Sequence, residues 1–317
     1  MQETSEEARY LVTGASGFIG RAVVARLLET GARVYGVSRT MVECDDPNYR
    51  HWQANLASAP EVDALLERIG PRYVLHLASC VTGSRELERV RETLAGNLVS
   101  TVNLLVAARE RDVDRCVLAG SLEEPPADEV DPVPASPYAA SKWAASGYAR
   151  MFHALYGLRV SVARIFMVYG PGQLDVRKLV PYVCLSAASG RIPRLMSGTR
   201  PVDWIYVQDV VEGLIAMLHG GPEDGGHVDL GTGLLTSTGD VATRLCELAG
   251  GDVAPELGAL GDRKMEQVRR ADLEATGALL DWQPGTRLED GLRQTFEWYR
   301  HAWREGRLRL DEHGGTR

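Results

Sequence analysis

Tyr10-Leu11-Val12-Thr13-Gly14-Ala15-Ser16-Gly17-Phe18-Ile19-Gly20 carries the fold of this chain. It begins as an apolar, strand-like run and passes into glycines spaced three apart. Apolar residues at Val23, Val24, Leu27 and Leu28 then recur at helical spacing as far as Gly31. Strand, glycine-rich turn and helix in that order form the context a dinucleotide fingerprint needs. Gly14 allows the tight turn, Gly17 lets backbone approach a pyrophosphate, and Gly20 lets the helix pack on the strand. The N-terminus of the helix that follows offers free N–H groups and a positive dipole, which suit phosphate.

Beyond Gly31, strand and helix patterns keep alternating. A second strand runs over 33–37 and ends in Ser38-Arg39-Thr40. A third covers 49–53, before Asn55 and Leu56, and a helix with an early proline spans 60–69. Residues 73–79 are almost unbroken apolar sequence, as in a central parallel strand covered on both faces. His76 within that run reads as a core residue. A long amphipathic helix is expected over 86–111, a strand over 115–119 leading to Ser121, and a sixth strand over 159–165. Regular alternation with short connections implies an α/β fold, a doubly wound parallel sheet of Rossmann type. After Tyr169 the alternation breaks down. A helix over 178–189, with Pro181 inside it as a point of kinking, is expected next, then a strand turning into a helix over 203–218. Gly220 to Gly226 reads as a linker, 240–249 and 287–304 as helices, and the residues after Leu310 as a disordered tail. The aromatics Phe296, Trp298, Tyr299 and Trp303 read as core.

The bulk properties narrow the partners. With 317 residues and a formal charge of -8, the chain can bury a large core and offers no basic surface for nucleic acid or an anionic membrane. No apolar run reaches the ~18 residues needed to span a bilayer, and the acidic first ten residues do not form a signal peptide. Cys44, Cys80, Cys116, Cys184 and Cys246 are odd in number and scattered, which fits reduced thiols of a cytoplasmic protein. The seven histidines show no ligand spacing, so no metal site is expected.

The chemistry points to Ser136-Pro137-Tyr138-Ala139-Ala140-Ser141-Lys142. Tyr138 and Lys142 are four apart on an expected helix, so phenol and ammonium share a face. A phenol titrates near ~10, and a neighbouring cation is expected to lower it toward the working range of proton transfer. The chain has 11 tyrosines but only three lysines, Lys142, Lys178 and Lys264. A chance Tyr-x-x-x-Lys is therefore expected roughly 0.1 times.

Read together, these motifs resemble an extended short-chain dehydrogenase/reductase of the nucleotide-sugar epimerase/dehydratase/reductase group. The resemblance rests on Thr13-Gly14-x-x-Gly17-x-x-Gly20, Val74-Leu75-His76-Leu77-Ala78, Ser121, the Tyr138 segment, and Arg164-Ile165-Phe166-Met167-Val168-Tyr169-Gly170-Pro171. Asp203-Trp204-Ile205-Tyr206-Val207-Gln208-Asp209 and Leu280-Asp281-Trp282-Gln283-Pro284 extend it to about residue 300. It implies that Tyr138 is the acid/base, that Lys142 bonds the nicotinamide ribose and lowers the Tyr138 pKa, and that Ser121 relays the proton. The implied cofactor set is Gly14, Gly17, Phe18, Ile19, Gly20, Ser38, Arg39, Thr40, Asn55, Leu56, Leu77, Ala78, Ser79, Tyr138, Lys142 and Ile165. The implied contacts to a nucleotide-diphosphate sugar are Thr82, Ser121, Glu123, Met167, Lys178 and Arg200, with Arg263, Arg269 and Arg270 as further diphosphate candidates. The implied domains are a cofactor domain over 1–168 that also receives 203–222, a smaller C-terminal substrate lobe over 169–202 and 223–310, and a tail over 311–317. A homodimer through the helices around 86–111 and 138–156 is also implied.

Departures from the family pattern narrow the reaction. Leu122-Glu123 stands where 4,6-dehydratases carry Asp-Glu, so one dehydration acid is missing. Pro125-Pro126 replace a Tyr-Gly and redirect the loop after it. Met167 replaces an asparagine, and a thioether is a weak hydrogen-bond partner. Val202 stands where many members have arginine. Ser38-Arg39 replaces the acid that bonds the adenosine ribose, and arginine suits a 2′-phosphate, which favours NADP(H) over NAD(H). The expected activity is an NADP(H)-dependent reduction of a nucleotide-activated 4-keto-(6-deoxy)hexose. The alternative is a 4-epimerase that retains its cofactor. A cofactor-binding protein without catalysis is the contrasting class, and the presence of both Tyr138 and Lys142 weighs against it.

Overall fold

The structure, a computed structural model, describes residues 8–126, 130–251, 253–262, 265 and 267–310. Arg263 and the tail over 311–317 lie outside the described residues. The chain forms two compact units, one of 1–165, 211–230 and 274–282, the other of 166–210, 231–273 and 283–317.

The first unit is a seven-stranded sheet of β1 (Arg9–Thr13), β2 (Arg33–Ser38), β3 (Tyr49–Gln53), β4 (Tyr73–His76), β5 (Arg115–Ser121), β6 (Val160–Ile165) and β9 (Asp224–Leu230). Its order is β3-β2-β1-β4-β5-β6-β9 and every pairing is parallel. This is the expected α/β, doubly wound Rossmann sheet. Strand order runs one way from β1 to β3 and restarts on the other side at β4, so the ends of β1 and β4 open a crevice at the switch point. Flanking helices include α1 (Phe18–Glu29), α2 (Ala59–Ile69), α5 (Pro137–Tyr156) and α7 (Val207–Gly220). The short α9 (Leu273–Leu279) is tied to β9 by Thr276, whose hydroxyl donates to the Asp229 carbonyl at 3.0 Å. Val62, Leu66, Leu104, Leu105 and Val160 are among the wholly buried residues of the unit's core.

Three expectations change here. Residues 220–226 are not simply a linker: α7 runs into Gly220, and β9 starts at Asp224 and pairs with β6. Glycines there read as a break because Gly225 turns the chain at φ 78° beside the α5 backbone, where a Cβ would meet Arg150 Cα at 2.5 Å. Residues 223–230 and 274–282 therefore belong to the first unit, and 203–210 to the second, in place of the expected boundaries. The single helix over 86–111 is instead α3 (Glu88–Thr93), a π-helical turn (Leu94–Val99) and α4 (Ser100–Glu110). A π turn inserts one residue into the helix and rotates the face presented by α4.

The second unit holds a small sheet of β7 (Met167–Tyr169), β8 (Pro201–Tyr206) and β10 (Leu235–Ser237), in the order β10-β8-β7. With it lie α6 (Leu179–Ala188), α8 (Thr238–Leu248) and α10 (Leu288–Arg304). Pro181 sits in the first turn of α6, where its missing N–H breaks no helical bond, so it causes no kink. Phe296 and Tyr299 are buried in this unit's core, with Trp298 and Trp303 packed against it. Asp203, 1% exposed, accepts hydrogen bonds from the N–H groups of Thr232, Gly233 and Ala271 and from the Thr232 hydroxyl, tying three segments together.

Candidate active site

The glycine turn leaves no room for side chains. Gly14 has φ 69°, and a Cβ there would come within 2.7 Å of the Ala78 nitrogen and 2.8 Å of the Leu77 carbonyl carbon. A Cβ on Gly20 would overlap the Gly14 carbonyl. α1 begins after Gly17 with no side-chain cap and no acidic residue in its first turn, so the N–H groups at Phe18, Ile19 and Gly20 meet no built-in anion. These features fit a dinucleotide's pyrophosphate: the cradle is made by absent Cβ atoms and the donors are uncapped. Thr13 braces the turn from below, its hydroxyl accepting from the Ala78 N–H at 3.1 Å and meeting His76 Nδ1 at 2.7 Å. His76 is 3% exposed and also meets the Thr101 hydroxyl at 3.0 Å. Burial lowers its pKa to about 3, with Lys142 adding to the effect, so it stays neutral.

The other expected cofactor residues line the ends of neighbouring strands. At the end of β2, the Ser38 hydroxyl donates to the Thr40 carbonyl at 2.6 Å and lies 3.1 Å from His51 Nε2. The Arg39 carbonyl accepts from Gln53 at 2.7 Å, and the Arg39 side chain lies within electrostatic reach of Cys80 and Glu92. After β3, Asn55 caps Ala57, and the Leu56 carbonyl accepts from Asn103. Ser79 follows β4 and donates to Asn97 at 3.1 Å; Thr82, further along that loop, accepts from the Ser84 N–H. Ile165 closes β6, its carbonyl accepting from the Leu122 N–H at 3.2 Å. Met167, Lys178 and Arg200 belong to the second unit: Met167 in β7, Lys178 as the residue before α6, and Arg200 donating to the Gln267 carbonyl at 2.9 Å.

The expected acid/base group, Tyr138 and Lys142, lies on α5. Ser136 caps the helix, accepting from the Ala139 N–H at 3.1 Å, with Pro137 following. Tyr138 and Lys142 thus enter one helical face next to the end of β5. The Ser121 hydroxyl lies near the Tyr138 phenol, whose proton affinity it draws down, and accepts from the Glu123 N–H at 3.2 Å. Lys142, 6% exposed, donates to the Ala119 carbonyl at 2.7 Å, and its Nζ lies 5.9 Å from the centre of the Tyr138 ring.

The electrostatics differ from the expected lowering of the tyrosine. Tyr138 is half-buried, and burial is the largest influence on its phenol, pushing it up to about 12 against the opposing pull of Ser121. Glu124 and Glu123 push the same way. Lys142 does not offset this, because burial brings Lys142 itself down to about 8 and its Nζ is turned to Ala119. Tyrosine and lysine are together as expected, but the lysine does not bring the phenol into the neutral range.

Sequence reasoning passed over two groups. Asn97 lies inside the π turn, 1% exposed, accepting from the Cys80 N–H at 2.6 Å and donating to the Ser141 hydroxyl at 2.9 Å. It joins the loop after β4 to α5, and no periodicity announces a π turn. The other is Glu124, which the sequence places beside Glu123 without distinguishing their directions. Among the described residues no group of three or more His, Cys, Asp or Glu is arranged to hold a metal.

Known proteins resemble this chain in sequence and fold. Residues 10–231 match the NAD dependent epimerase/dehydratase family. A UDP-glucose 4-epimerase of Mycolicibacterium smegmatis is 33% identical over 92% of this chain and 99% of its own length. The crystal structure of a Thermotoga maritima UDP-glucose 4-epimerase with UDP-glucose is 25% identical, with a TM-score of 0.85 over 93% of this chain and 99% of its own. The Thermus thermophilus UDP-glucose 4-epimerase in complex with NAD is 27% identical, with a TM-score of 0.81 over the same shares. The chain belongs to the NAD dependent epimerase/dehydratase family, as an extended short-chain dehydrogenase/reductase of the nucleotide-sugar group.

Proposed function

We propose that this protein reduces the 4-keto group of a nucleotide-activated (6-deoxy)hexose, using NADP(H). A nicotinamide, when bound, supplies the hydride for C4. Tyr138 Oη delivers the proton to the sugar oxygen. The Ser121 hydroxyl bonds that oxygen and passes the proton, and Lys142 holds the nicotinamide ribose. A phenol with a raised proton affinity stays protonated at neutral pH, which suits a donor. Gly14, Gly17, Phe18, Ile19, Gly20 and the residues closing β2, β3, β4 and β6 bind the cofactor. Thr82, Glu123, Met167, Lys178 and Arg200 contact the sugar nucleotide.

One observation carries the choice of NADP(H) and net reduction. The end of β2 has no carboxylate: Ser38 commits its hydroxyl to Thr40 and His51, and the next residue is the exposed Arg39. Leu122, in place of a dehydration acid, supports reduction over dehydration. The second reading, a 4-epimerase that keeps its cofactor, is favoured by the 4-epimerase relatives. The test is NADPH consumption with a panel of nucleotide-4-keto sugars, alongside C4 interconversion without added cofactor. Consumption that vanishes in Tyr138→Phe is the expected result. Interconversion without consumption overturns the reductase reading, and turnover intact in Tyr138→Phe overturns the assignment of the acid.

The chain works as a homodimer through the α3–α4 and α5 faces, on the support of Leu87, Leu94, Trp143, Leu155 and Tyr156, which are 81%, 47%, 39%, 67% and 49% exposed. Its setting is the cytoplasm, supported by five cysteines that are all free thiols. No helix among the described residues is long and apolar enough to cross a membrane.

A further inference from the structure

Glu124 is a carboxylate with only 1% of its surface exposed, three residues beyond Ser121. Its seat is built from three elements. The β5 end gives the Ser121 N–H, which donates to Oε1 at 2.8 Å. α5 gives Ser146, whose hydroxyl donates to Oε2 at 2.6 Å. β9 gives His227, with Nε2 at 3.2 Å from Oε2 and 3.3 Å from Ser146 Oγ. The backbone makes room as well: a Cβ on Gly120 would stand 2.7 Å from Oε1 and 2.6 Å from Val162. Ser146 follows Lys142 by four residues as Lys142 follows Tyr138, so one face of α5 meets the phenol, the ammonium and the carboxylate in turn.

We propose that Glu124 is the positioning residue of this site, a buried carboxylate that fixes Ser121 against the Tyr138–Lys142 face and supplies the counter-charge to Lys142. The inference rests on the reading of Ser121, Tyr138 and Lys142 as the proton-transfer group. Both oxygens are committed to named donors, so the carboxylate holds the strand end and the helix at a fixed spacing. Burial opposes its charge, but His227, Ser146 and the Ser121 N–H outweigh that and hold the carboxyl below its ordinary range. The charged and titratable groups around it are His227 from β9, Lys142 and Tyr138 from α5, and Glu123 from its own turn; β6 presents the apolar Val162. Glu124 raises the proton affinity of Lys142 against burial.

The small number of lysines makes this measurable without substrate. With Lys142, Lys178 and Lys264 alone in the chain, a spectrum of 13Cε-lysine protein has three side-chain resonances, and Lys142→Met assigns one. In Glu124→Gln the Lys142 titration should move down by about one pH unit, and kcat should fall more than tenfold with KM for the sugar nucleotide little changed. Glu124→Asp should restore the titration while recovering only part of the rate, since the shorter side chain cannot reach both Ser121 and Ser146. A Lys142 titration in Glu124→Gln that superimposes on wild type overturns the proposal. Ser146→Ala keeps the charge and stands in should the glutamine variant not fold. Its kcat should fall severalfold with Lys142 titrating as in wild type, and a kcat equal to wild type overturns the proposal. A wild-type chain inert toward every nucleotide sugar would overturn the functional reading while the lysine titration still decided the role of Glu124.

Discussion

Replacing Lys142 by methionine should make the protein more stable at neutral pH while removing its activity. Lys142 is 6% exposed, and burial brings its pKa from 10.5 to about 8, against the opposing pull of Glu124. That fall corresponds to about 3 kcal/mol of unfavourable free energy for the charged form in the folded protein. Below pH 8 both folded and unfolded chains are protonated, so the whole cost is present. Between about 8 and 10.5 the unfolded chain binds the proton and the folded chain does not, so wild-type stability rises with pH through that window. Methionine has similar length, carries no charge and fits a buried site. The attraction of Glu124 is already contained in the net fall to about 8, so the further loss is the hydrogen bond to the Ala119 carbonyl, with a charge-assisted bond contributing about 1.5–3 kcal/mol. At pH 7 the variant should therefore gain a net ~0–2 kcal/mol. The advantage should shrink above pH 8 and reverse by pH 10, where the neutral amine still bonds Ala119. Urea unfolding of both proteins across pH 7–10 measures this, and taking the difference cancels the tyrosines and cysteines common to both. A difference that stays constant with pH would show that Lys142 carries no burial penalty in the fold, and the account of its charge would be wrong.

Three further outcomes are expected. Arg39→Glu should weaken NADP(H) by about tenfold to a hundredfold, the loss of a charge-assisted hydrogen bond, and NAD(H) much less; calorimetric titration that finds equal losses removes Arg39 from the 2′-phosphate. Gly20→Ala forces a Cβ onto the Gly14 carbonyl and should destabilise the first unit by about 1–3 kcal/mol and weaken cofactor binding, read by thermal unfolding with and without the dinucleotide; an unchanged midpoint counts against the tight helix–turn contact. Trp143→Glu with Leu155→Glu places charge on the exposed α5 face and should halve the mass seen by light scattering, while a wild type already monomeric at that concentration removes the dimer.

The range of an interaction decides whether sequence discloses it. The glycine turn was legible because each glycine answers a local demand: Gly14 a left-handed φ, Gly20 the passage of α1 over the Gly14 carbonyl. Tyr138 and Lys142 were legible because helical spacing alone puts them on one face. β9 was missed because Gly225 and Gly226 look like a break until β6 is present to pair with the strand they open into. The π turn was missed because Leu94-Ala95-Gly96-Asn97-Leu98-Val99 has ordinary helical composition, and only the burial of Asn97 against Cys80 and Ser141 gives the wider turn a purpose.

The charge on Tyr138 was misjudged for a related reason. Spacing shows that a lysine is near, but it does not show that burial lowers that lysine or that its Nζ faces Ala119. Nor does it tell Glu123 from Glu124, adjacent acids of which one stays in the turn and the other enters a seat made by Gly120, Ser146 and His227. Ser146 and His227 are 22 and 103 residues from Glu124 in sequence, and neither distance is a helical or strand period. The residue types of the site are local information. The protonation state in which each one works is set by partners that only the folded sheet brings within reach.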